Sequence, residues 1–559
     1  MYSVELFDRL QQLLAPNGYK TRAESEHLYP RRHLQNGAEV MRVPPSPTGF
    51  VHIGTIYAGL VNERIAHQSG GVFILRIEDT DKKREVAGSS EMMVDAFKQF
   101  GLVYDEGPVV GGDYGPYFQS QRADIYLGYA LDLLQKGRAY PCFATPEELA
   151  TLSKDQQAKK LRPGYYGDFA LWRDKSEQDI HDALDQDLPF VLRLKSTGSH
   201  SKRLTFHDIF KGKMEVPEND LDVPLLKSDA DRLPTYHLAH VVDDYLMGTT
   251  KVFRSDEWLP STALHIEIAQ ALDLPAFTYG HFAPISIIDT NGGGKRKLSK
   301  RKDNEADVQF WLQAGYPVEG IKAYLLGLAN SSFEDWYRAH PGAALADFPL
   351  SIDKLAASRA PLLDMQKLED YCKDYIAQLP QEEFEKRMLD YVKTQNLQAF
   401  VDAVEADSAY SGAVFAIERS GDKPRKDMFR FDQAVDHYGY FFDDLYAKDF
   451  ATQGRIEHLS DIDKVIINKS AQAFMATFDI HDEQPQWFDK LKAAADATGF
   501  AIDNKAYKSQ PENYSGNVAD FARIIRVLVT GKNRTPDLWA IMQVMGDQRV
   551  RSRLSGTHS

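Results

Sequence analysis

Two strand-and-helix units near the start of the chain constrain its fold more than any other feature. The first runs from the extended segment Val40–Val43 through the loop PPSPTG into a helix that begins near His52. The second has alternating side chains over residues 72–77, followed by a helix that ends before Gly101. Strands that alternate with helices indicate a parallel α/β sheet.

The alternation of strands and helices weakens after the second unit and returns further along the chain. Residues 117–235 mix helix starts, such as the capping box at Thr145, with short strands, such as 190–194. The apolar runs 240–245 and 251–254 have the composition of strands. We therefore expect a domain inserted between two halves of one sheet.

From about residue 305 the apolar residues follow the period of helices. Phe521 and Ile525 share a face of one predicted helix, and another is predicted to begin at Thr535-Pro536 and to end at Gly546. Residues 1–38 hold one short amphipathic stretch and a polar tract, which we interpret as an N-terminal extension. At 559 residues the chain is too long for a single core.

The predicted fold is therefore an α/β Rossmann-type domain split by an inserted α+β domain and followed by an all-α C-terminal half. The predicted boundaries are 1–38 for the extension, 39–116 and 236–290 for the two halves of the Rossmann domain, 117–235 for the insertion, and 291–375 and 376–559 for two helical regions.

Composition excludes several classes of protein. Hydrophobic residues make up 43% and charged residues 26%, as in globular domains. No apolar run is long enough to span a membrane and no signal peptide is apparent, so we expect a cytoplasmic protein. A net charge of −15 argues against a protein that coats nucleic acid nonspecifically. The same net charge does not exclude a local basic surface. Cys142 and Cys372 are too few for a disulfide framework or a cysteine-based zinc site.

The segment RVPPSPTGFVHIGT, residues 42–55, has the properties of a nucleotide-binding loop. A helix N-terminus stabilises negative charge, the His52 imidazole can donate to a phosphate oxygen, and Gly54 lets a flat base approach the backbone. An ordinary loop with an incidental histidine is the alternative, and the pattern HxG alone favours that alternative.

A second charged segment, KRKLSKRK at residues 295–302, follows the glycine run that starts at Asn291. Such a loop can move, and its cations could hold triphosphate oxygens as charge develops on departing pyrophosphate. On its own, the segment is better explained as solvated charges or as a patch that binds nucleic acid.

Together the two segments resemble the HIGH and KMSKS signatures of class I aminoacyl-tRNA synthetases, which lie on one nucleotide-binding fold interrupted by an insertion. Other strings narrow the resemblance to the bacterial-type glutamyl-tRNA synthetase family: PSPTGFVHIGT, FILRIEDTD, YDEGP, LLKSDADRLPTYHLAHVVDD and VFRSDEWLPST. The C-terminal string IRVLVTGKNRTPDLWAIMQVMG also looks like the last helices of that family. The resemblance implies that glutamate and ATP form glutamyl-adenylate and pyrophosphate, and that glutamate is then transferred to the 3′ end of tRNA(Glu) with release of AMP.

The resemblance also implies a glutamate site. Two guanidinium groups suit a substrate with two carboxylates, and Glu78 can bind its ammonium group. A buried structural ion pair is the alternative role for either arginine. The implied glutamate-binding residues are Arg42, Ser46, Glu78, Tyr236 and Arg254.

ATP contacts are implied around both signatures, with His52 and Lys300 as the catalytic residues. No side chain needs to act as a nucleophile, because the glutamate carboxylate attacks the α-phosphate directly while Mg²⁺ neutralises phosphate charge. No metal-ligating residue and no structural zinc are expected, because Cys142 stands alone where some relatives carry a cysteine cluster. The implied ATP-binding residues are Thr48, His52, Gly54, Thr55, Glu257, Lys297, Leu298, Ser299, Lys300 and Arg301.

The same resemblance assigns roles to the predicted regions. Residues 117–235 would bind the acceptor end of tRNA, 291–375 would carry the KMSKS-like loop, and 376–559 would bind the anticodon, in a monomer without membrane contacts. Anticodon contacts and solvated helix charges are equal alternatives for three arginines: Arg523, Arg526 and Arg549.

One departure and four alternatives remain open at this stage. His240 stands where many relatives have asparagine, which could alter a hydrogen bond near the amino acid. A glutaminyl-tRNA synthetase would have strings closer to PPEPNG and RFDDTN, and the short relative that modifies a tRNA base lacks an anticodon-binding region. A small-molecule nucleotidylyltransferase would need no insertion, and an inactive tRNA-binding module would be expected to lose His52 or Lys300. Fold analogy alone does not decide among them.

Overall fold

The computed structural model describes residues 2–229, 231–289, 292–355, 361–419 and 424–556. Asn291, in the predicted glycine loop, lies outside these residues. The chain divides into two compact units, each with its own buried core. The first consists of Met1–Trp311 and Lys322–Asp364, and the second of Leu312–Ile321 and Met365–Ser559.

In the described part of the chain, all strands belong to the first unit. They form a four-stranded sheet in the order β6-β5-β9-β8, a three-stranded antiparallel sheet β3-β4-β7, a parallel pair β1-β2 and a hairpin β10-β11. Their bounds are β1 Val40–Val43, β2 Val72–Leu75, β3 Ala139–Cys142, β4 Val191–Leu194, β5 Arg203–Asp208, β6 Gly212–Pro217, β7 Pro224–Leu226, β8 Lys251–Ser255, β9 Thr278–Phe282, β10 Ser286–Ile288 and β11 Lys295–Lys297.

The helices of the first unit include those predicted after the first two strands. The predicted capping box at Thr145 is present, and Gly101 adopts the left-handed conformation (φ 58°) after α4. The bounds are α1 Val4–Leu14, α2 Arg22–Leu28, α3 Ile53–Gln68, α4 Ser89–Gln99, α5 Ala123–Gln135, α6 Pro146–Ala158, α7 Glu177–Asp185, α8 Tyr236–Leu246, α9 Thr262–Ala271 and α12 Phe333–Ala339. Two further helices, α10 Val308–Gln313 and α11 Val318–Ala329, contain residues of both units.

Parallel strand pairs position the chemistry of this unit. β1 pairs with β2 in parallel, with Arg42 opposite Ile74, and β8 pairs with β9 in parallel, with Arg254 opposite His281. β1 and β8 also lie beside each other. In open α/β sheets, ligands bind beyond the carboxyl ends of parallel strands. Arg42 and Arg254 stand near those ends.

The segment predicted as an insertion contributes strands to two sheets. β3, β4 and β7 form their own antiparallel sheet. β5, however, pairs with β9 at Asp208 and Tyr279, so β5 and β6 extend the sheet that contains β8.

The N-terminal segment contains two helices, where the sequence analysis noted one amphipathic stretch and a polar tract. The missed helix, α2, has a capping box between Thr21 and Glu24, and this short pattern was the available signal. Both helices pack against α5. Arg32 then forms a bidentate ion pair with Glu106, at 2.6 and 2.8 Å, and donates to the carbonyl oxygen of Met247 at 2.7 Å.

The run 240–245, predicted as a strand, lies instead within α8, so that prediction was wrong. The run contains two adjacent valines, which favour strands when considered alone. Leu238, Val242 and Leu246 recur at helical spacing and are all buried, so packing of one helical face decides the local structure. The run 251–254 does lie in a strand, β8.

The second unit contains helices and no strand among its described residues. Its predicted helix α23 buries Phe521 and Ile525 as expected. The next helix starts later than predicted, because Asp537 rather than Thr535 caps it. The bounds are α13 Met365–Gln378, α14 Gln381–Thr394, α15 Gln398–Ala406, α16 Ser408–Ala416, α17 Ala434–Tyr438, α18 Asp443–Leu445, α19 Ala451–Leu459, α20 Lys464–Thr477, α21 Gln484–Ala497, α22 Asn504–Ser509, α23 Val518–Thr530, α24 Leu538–Met545 and α25 Asp547–Ser555.

No helix among the described residues combines the length and the apolar character needed to cross a membrane.

Candidate active site

A cavity of about 510 Å³ in the first unit brings most of the predicted site residues together. Thr48 and Arg301 are exposed and are not among its lining residues. Arg301 lies in a turn closed by the bond from the Lys302 N–H to the Ser299 carbonyl, 3.1 Å long. The predicted residues that line the cavity are Arg42, Ser46, His52, Gly54, Thr55, Glu78, Tyr236, Arg254, Glu257, Lys297, Leu298, Ser299 and Lys300.

His52 joins the two signature segments directly. Its Nδ1 accepts a hydrogen bond from the Gly54 N–H at 2.8 Å and thereby caps α3. Because a backbone N–H can only donate, the neutral ring carries its proton on Nε2, which lies 3.3 Å from the Leu298 carbonyl oxygen. Burial lowers the pKa of His52 to about 4, and Lys300 and Lys297 act in the same direction. His52 is therefore a neutral donor at physiological pH.

Two lysines of the second segment hold contacts that a phosphate could replace. Lys297 pairs with Glu257 at 2.6 Å, and both side chains are about half exposed, so the pair contributes little stability. Lys300 Nζ donates to the Phe50 carbonyl oxygen at 2.7 Å. The Lys300 side chain is exposed as a whole, but its ammonium end is partly withdrawn from water, which lowers its pKa.

Arg42 belongs to a network of buried charges at the inner end of the cavity. Its guanidinium donates to both carboxylate oxygens of Asp244, at 3.1 and 3.2 Å, and to the Phe253 carbonyl oxygen at 3.0 Å. Asp244 also accepts from Arg76 at 2.7 Å. The structural ion pair considered as an alternative for Arg42 is therefore present, although Arg42 also lines the cavity.

Glu78 lies at the edge of the same network. Its carboxylate accepts from Arg76 at 3.2 Å and lines the cavity. Burial raises the pKa of Glu78 to about 7, although the charges of Arg76 and Arg42 oppose the shift. The carboxylate therefore changes its charge near neutral pH.

This pKa predicts a pH dependence of glutamate use. Only the ionised Glu78 carboxylate can pair with a substrate ammonium group, so kcat/KM for glutamate should fall about tenfold between pH 8 and pH 6. Steady-state kinetics with saturating ATP measures the profile. Glu78→Gln should have lower activity and a flatter profile. A wild-type profile without a decrease near pH 7 would remove Glu78 from ammonium binding.

His240 lies behind the cavity and is not among its lining residues. It stacks on Tyr236, with ring centroids 5.5 Å apart, and its Nδ1 lies 2.8 Å from Asp244 Oδ2. These three residues follow one another at intervals of four and so share a face of α8. Burial lowers the pKa of His240 to about 3, so the ring is neutral.

Several lining residues were missed by the sequence analysis. Trp258 packs on Tyr236 with ring centroids 4.2 Å apart, and Asn62, Tyr57 and Phe282 also line the cavity. Trp258 stands inside the string VFRSDEWLPST, which was the available signal. The other three offered no signal, because nothing in their local patterns distinguishes them from core residues.

Two of the three arginines considered for anticodon contacts form ion pairs within the second unit. Arg523 pairs with Asp461 at 3.0 Å, and Arg549 pairs with Asp443 at 2.8 Å. Arg526 is half buried, and burial lowers its pKa. These contacts give Arg523 and Arg549 roles in holding neighbouring segments.

Comparisons with known proteins extend the argument to the whole chain. The model described as "tRNA synthetases class I (E and Q), catalytic domain" matches residues 39–335, and an "Anticodon binding domain" model matches residues 428–557. A glutamate–tRNA ligase of Clostridium perfringens (strain 13 / Type A) is 42% identical over 98% of this chain and 100% of its own length. The chain belongs to the glutamate–tRNA ligase family.

Other members of the ligase family agree in extent and fold. The glutamate–tRNA ligase of Clostridium beijerinckii is 40% identical over 98% of each chain. A crystal structure of a glutamate tRNA ligase from Elizabethkingia meningosepticum, in complex with its amino acid, has a TM-score of 0.72 and 24% identity over 93% of this chain and 99% of its own. This likeness shows that the chain has the fold of that ligase: a class I catalytic domain and a helical C-terminal half that includes the anticodon-binding domain.

Proposed function

We propose that this ligase activates L-glutamate with ATP to form glutamyl-adenylate and pyrophosphate, and then transfers glutamate to the 3′ end of tRNA(Glu) with release of AMP. The observation that carries the proposal is the contact between His52 and the Leu298 carbonyl oxygen, which joins the two signature segments. Arg254 and Glu78 line the same cavity, so groups suited to a triphosphate and to an acidic amino acid lie together.

Glutamate would lie at the inner end of the cavity. Arg254 and Arg42 offer positive charge to its two carboxylates, and the Glu78 carboxylate offers a partner to its ammonium group. Ser46 and Tyr236 add hydroxyl groups to the same lining.

ATP would lie against the N-terminus of α3. The first turn of this helix favours phosphate, and the neutral His52 ring supplies an N–H donor once its contact with Leu298 is exchanged. Lys297 and Lys300 would exchange their present partners for triphosphate oxygens. Mg²⁺ carried by ATP would neutralise part of the phosphate charge. Among the described residues, no group of three His, Cys, Asp or Glu side chains could hold a metal ion.

Activation needs no protein nucleophile. An α-carboxylate oxygen of glutamate forms a bond to the α-phosphorus of ATP, and the bond from that phosphorus to the bridging oxygen of pyrophosphate breaks. Lys300 would stabilise the charge that develops on the pyrophosphate oxygens, and Arg254 and Glu78 would align the amino acid.

We further propose the domain roles. Residues 39–116 and 236–290 would form a Rossmann-type catalytic domain, and 117–235 an insertion that binds the acceptor end of tRNA. Residues 291–375 would carry the KMSKS-like segment, and 376–559 would bind the anticodon. The parallel pairs β1-β2 and β8-β9 flank residues 117–235 and support the first assignment, while β5 and β6 of that segment extend the sheet of β8 and β9. The anticodon-binding model over 428–557 supports the last.

ATP–pyrophosphate exchange and aminoacylation test the proposed function. The purified chain should exchange pyrophosphate in the presence of glutamate, measured with and without tRNA, and should attach glutamate to tRNA(Glu). Glutamine in place of glutamate and tRNA lacking its terminal adenosine are the controls. Exchange that requires glutamine would instead assign the chain to glutaminyl-tRNA formation, and absence of both reactions would overturn the proposal. Parallel assays with tRNA(Gln) show whether that tRNA is also charged.

We expect that removal of the Arg254 side chain selectively weakens the binding of glutamate. Arg254→Ala should raise the KM for glutamate by at least about tenfold, equivalent to about 1.4 kcal/mol, because a buried cation that faces the cavity is lost. Exchange kinetics at saturating ATP measures the change. Arg203→Ala, which removes an exposed arginine from β5, is the matched control. An unchanged KM would remove Arg254 from the glutamate site.

A further inference from the structure

Arg254 is held by neutral groups on three of its nitrogens. Its Nε donates to His281 Nε2, one terminal nitrogen to His265 Nδ1 and the other to Thr262 Oγ1, each at 2.9 Å. Another contact, to the Trp258 carbonyl oxygen, is 3.5 Å long. A guanidinium has five N–H donors and these contacts use four, so one donor remains for a ligand in the cavity that Arg254 lines.

The direction of these bonds fixes the proton positions on both histidines. A guanidinium can only donate, so His265 Nδ1 and His281 Nε2 must both be unprotonated. His265 then carries its proton on Nε2, which faces His237 Nδ1 at 3.0 Å. His281 carries its proton on Nδ1 and donates to Asp208 Oδ2 at 2.6 Å. Each imidazole is neutral, and burial lowers the pKa of both.

Arg254 differs in this respect from three other deeply buried arginines of the first unit. Arg42 and Arg76 pair with Asp244, and Arg122 pairs with Asp243. Arg254, by contrast, forms no ion pair with any carboxylate of the described residues, although only 6% of it is exposed. A buried charge without a counter-ion is costly, so a ligand that supplies one binds with a large advantage.

We propose that His265 and His281 are positioning residues that hold the Arg254 guanidinium towards the cavity and leave its charge for the side-chain carboxylate of the substrate. The inference rests on the proposed function and deepens it. The α-carboxylate loses its charge when the adenylate forms, whereas the side-chain carboxylate keeps its charge through both steps. An uncompensated cation therefore suits the side-chain carboxylate, and it selects against the neutral carboxamide of glutamine.

Substitutions of His265 can test separately whether Arg254 needs a hydrogen-bond acceptor at this position and whether that acceptor must be uncharged. His265→Asn places an amide oxygen near the position of Nδ1, so the bond to Arg254 is kept without a counter-ion. His265→Asp has nearly the same shape but adds a carboxylate, which stays ionised beside a guanidinium. His265→Leu removes the acceptor. His207→Leu, at an exposed histidine of β5, is the matched control.

Calorimetric Kd values for glutamate and ATP are measured for each variant, together with glutamate-dependent ATP–pyrophosphate exchange. We expect the glutamate Kd to stay within about threefold of the wild type for His265→Asn and His207→Leu, and to rise about tenfold or more for His265→Leu and His265→Asp. The ATP Kd should change little in all of them. His265→Asp should also lower the preference for glutamate over glutamine by about tenfold.

The outcomes separate this inference from the proposed function. A wild type that binds glutamate without supporting exchange overturns the proposed function, while the binding series still tests the histidines. Equal glutamate Kd values for His265→Asn and His265→Asp would overturn the claim of an uncompensated charge. A wild-type Kd for His265→Leu and His281→Leu would overturn positioning, as would a wild type that binds no glutamate. Parallel losses of glutamate and ATP affinity would indicate a merely structural role and would also overturn it.

Discussion

Replacement of Lys300 by alanine should lower kcat by about 10²-fold or more while ATP binding weakens less. Lys300 now donates to the Phe50 carbonyl oxygen beside the cavity, and this neutral contact can be exchanged for a phosphate oxygen. An ammonium group aimed at pyrophosphate gains most as that group acquires charge, so its removal affects the transition state more than the bound ground state.

Exchange kinetics and direct ATP binding measure the two effects separately. Lys302→Ala, two residues later and exposed outside the cavity, is the matched control and should retain wild-type kcat. Equal losses in kcat and in ATP affinity would assign Lys300 to uniform ATP binding instead. The pattern expected for Lys300→Ala therefore distinguishes catalysis from attraction by charge alone.

Replacement of Asp244 by asparagine should destabilise the first unit by about 3–5 kcal/mol. The Asp244 carboxylate is fully buried and accepts bonds from Arg42 and Arg76, whose charges would otherwise be left with weaker compensation. Burial alone would raise its pKa, but the two arginines outweigh burial and hold the pKa well below its usual range. Asparagine keeps the shape of the side chain, but it removes the charge and replaces one acceptor oxygen with an amide N–H donor.

Urea unfolding followed by tryptophan fluorescence measures the loss as a lower midpoint. Asp155→Asn is the matched control, because Asp155 pairs with Lys159 in an exposed contact at the C-terminal end of α6. This variant should show no measurable change. Equal midpoints for Asp244→Asn and the wild type would show that neighbouring groups compensate for the missing charge. If Asp244→Asn also raises the KM for glutamate, the ion pair between Asp244 and Arg42 supports glutamate binding as well as stability.

The convergence of His52 and Lys300 on one cavity was predictable because both stand in short strings with a distinctive order. The alternation of strands and helices near the start of the chain likewise predicted the parallel pair β1-β2. Local pattern failed over 240–245, where two valines favoured a strand and burial of one helical face decided for α8.

Long-range partners were not predictable from pattern at all. Nothing in the strings around His265 or His281 indicates that both accept from the same guanidinium, because that relation exists only after β8, β9 and α9 have packed. The same holds for Asp244, which follows the cavity-lining residue Tyr236 on α8 but acts through Arg42 and Arg76. A sequence identifies groups that could meet a substrate more readily than the groups that fix their charge.

The leucines of α1 have a practical consequence for shortened versions of this enzyme. Leu6, Leu10 and Leu14 are at most 1% exposed, and α1 packs on α5, yet the catalytic-domain match begins only at residue 39. A protein trimmed to that match would lack α1. The apolar surface of α5 that α1 covers would then be exposed to water and would promote aggregation. Crystallisation or screening efforts should therefore begin with the first helix retained.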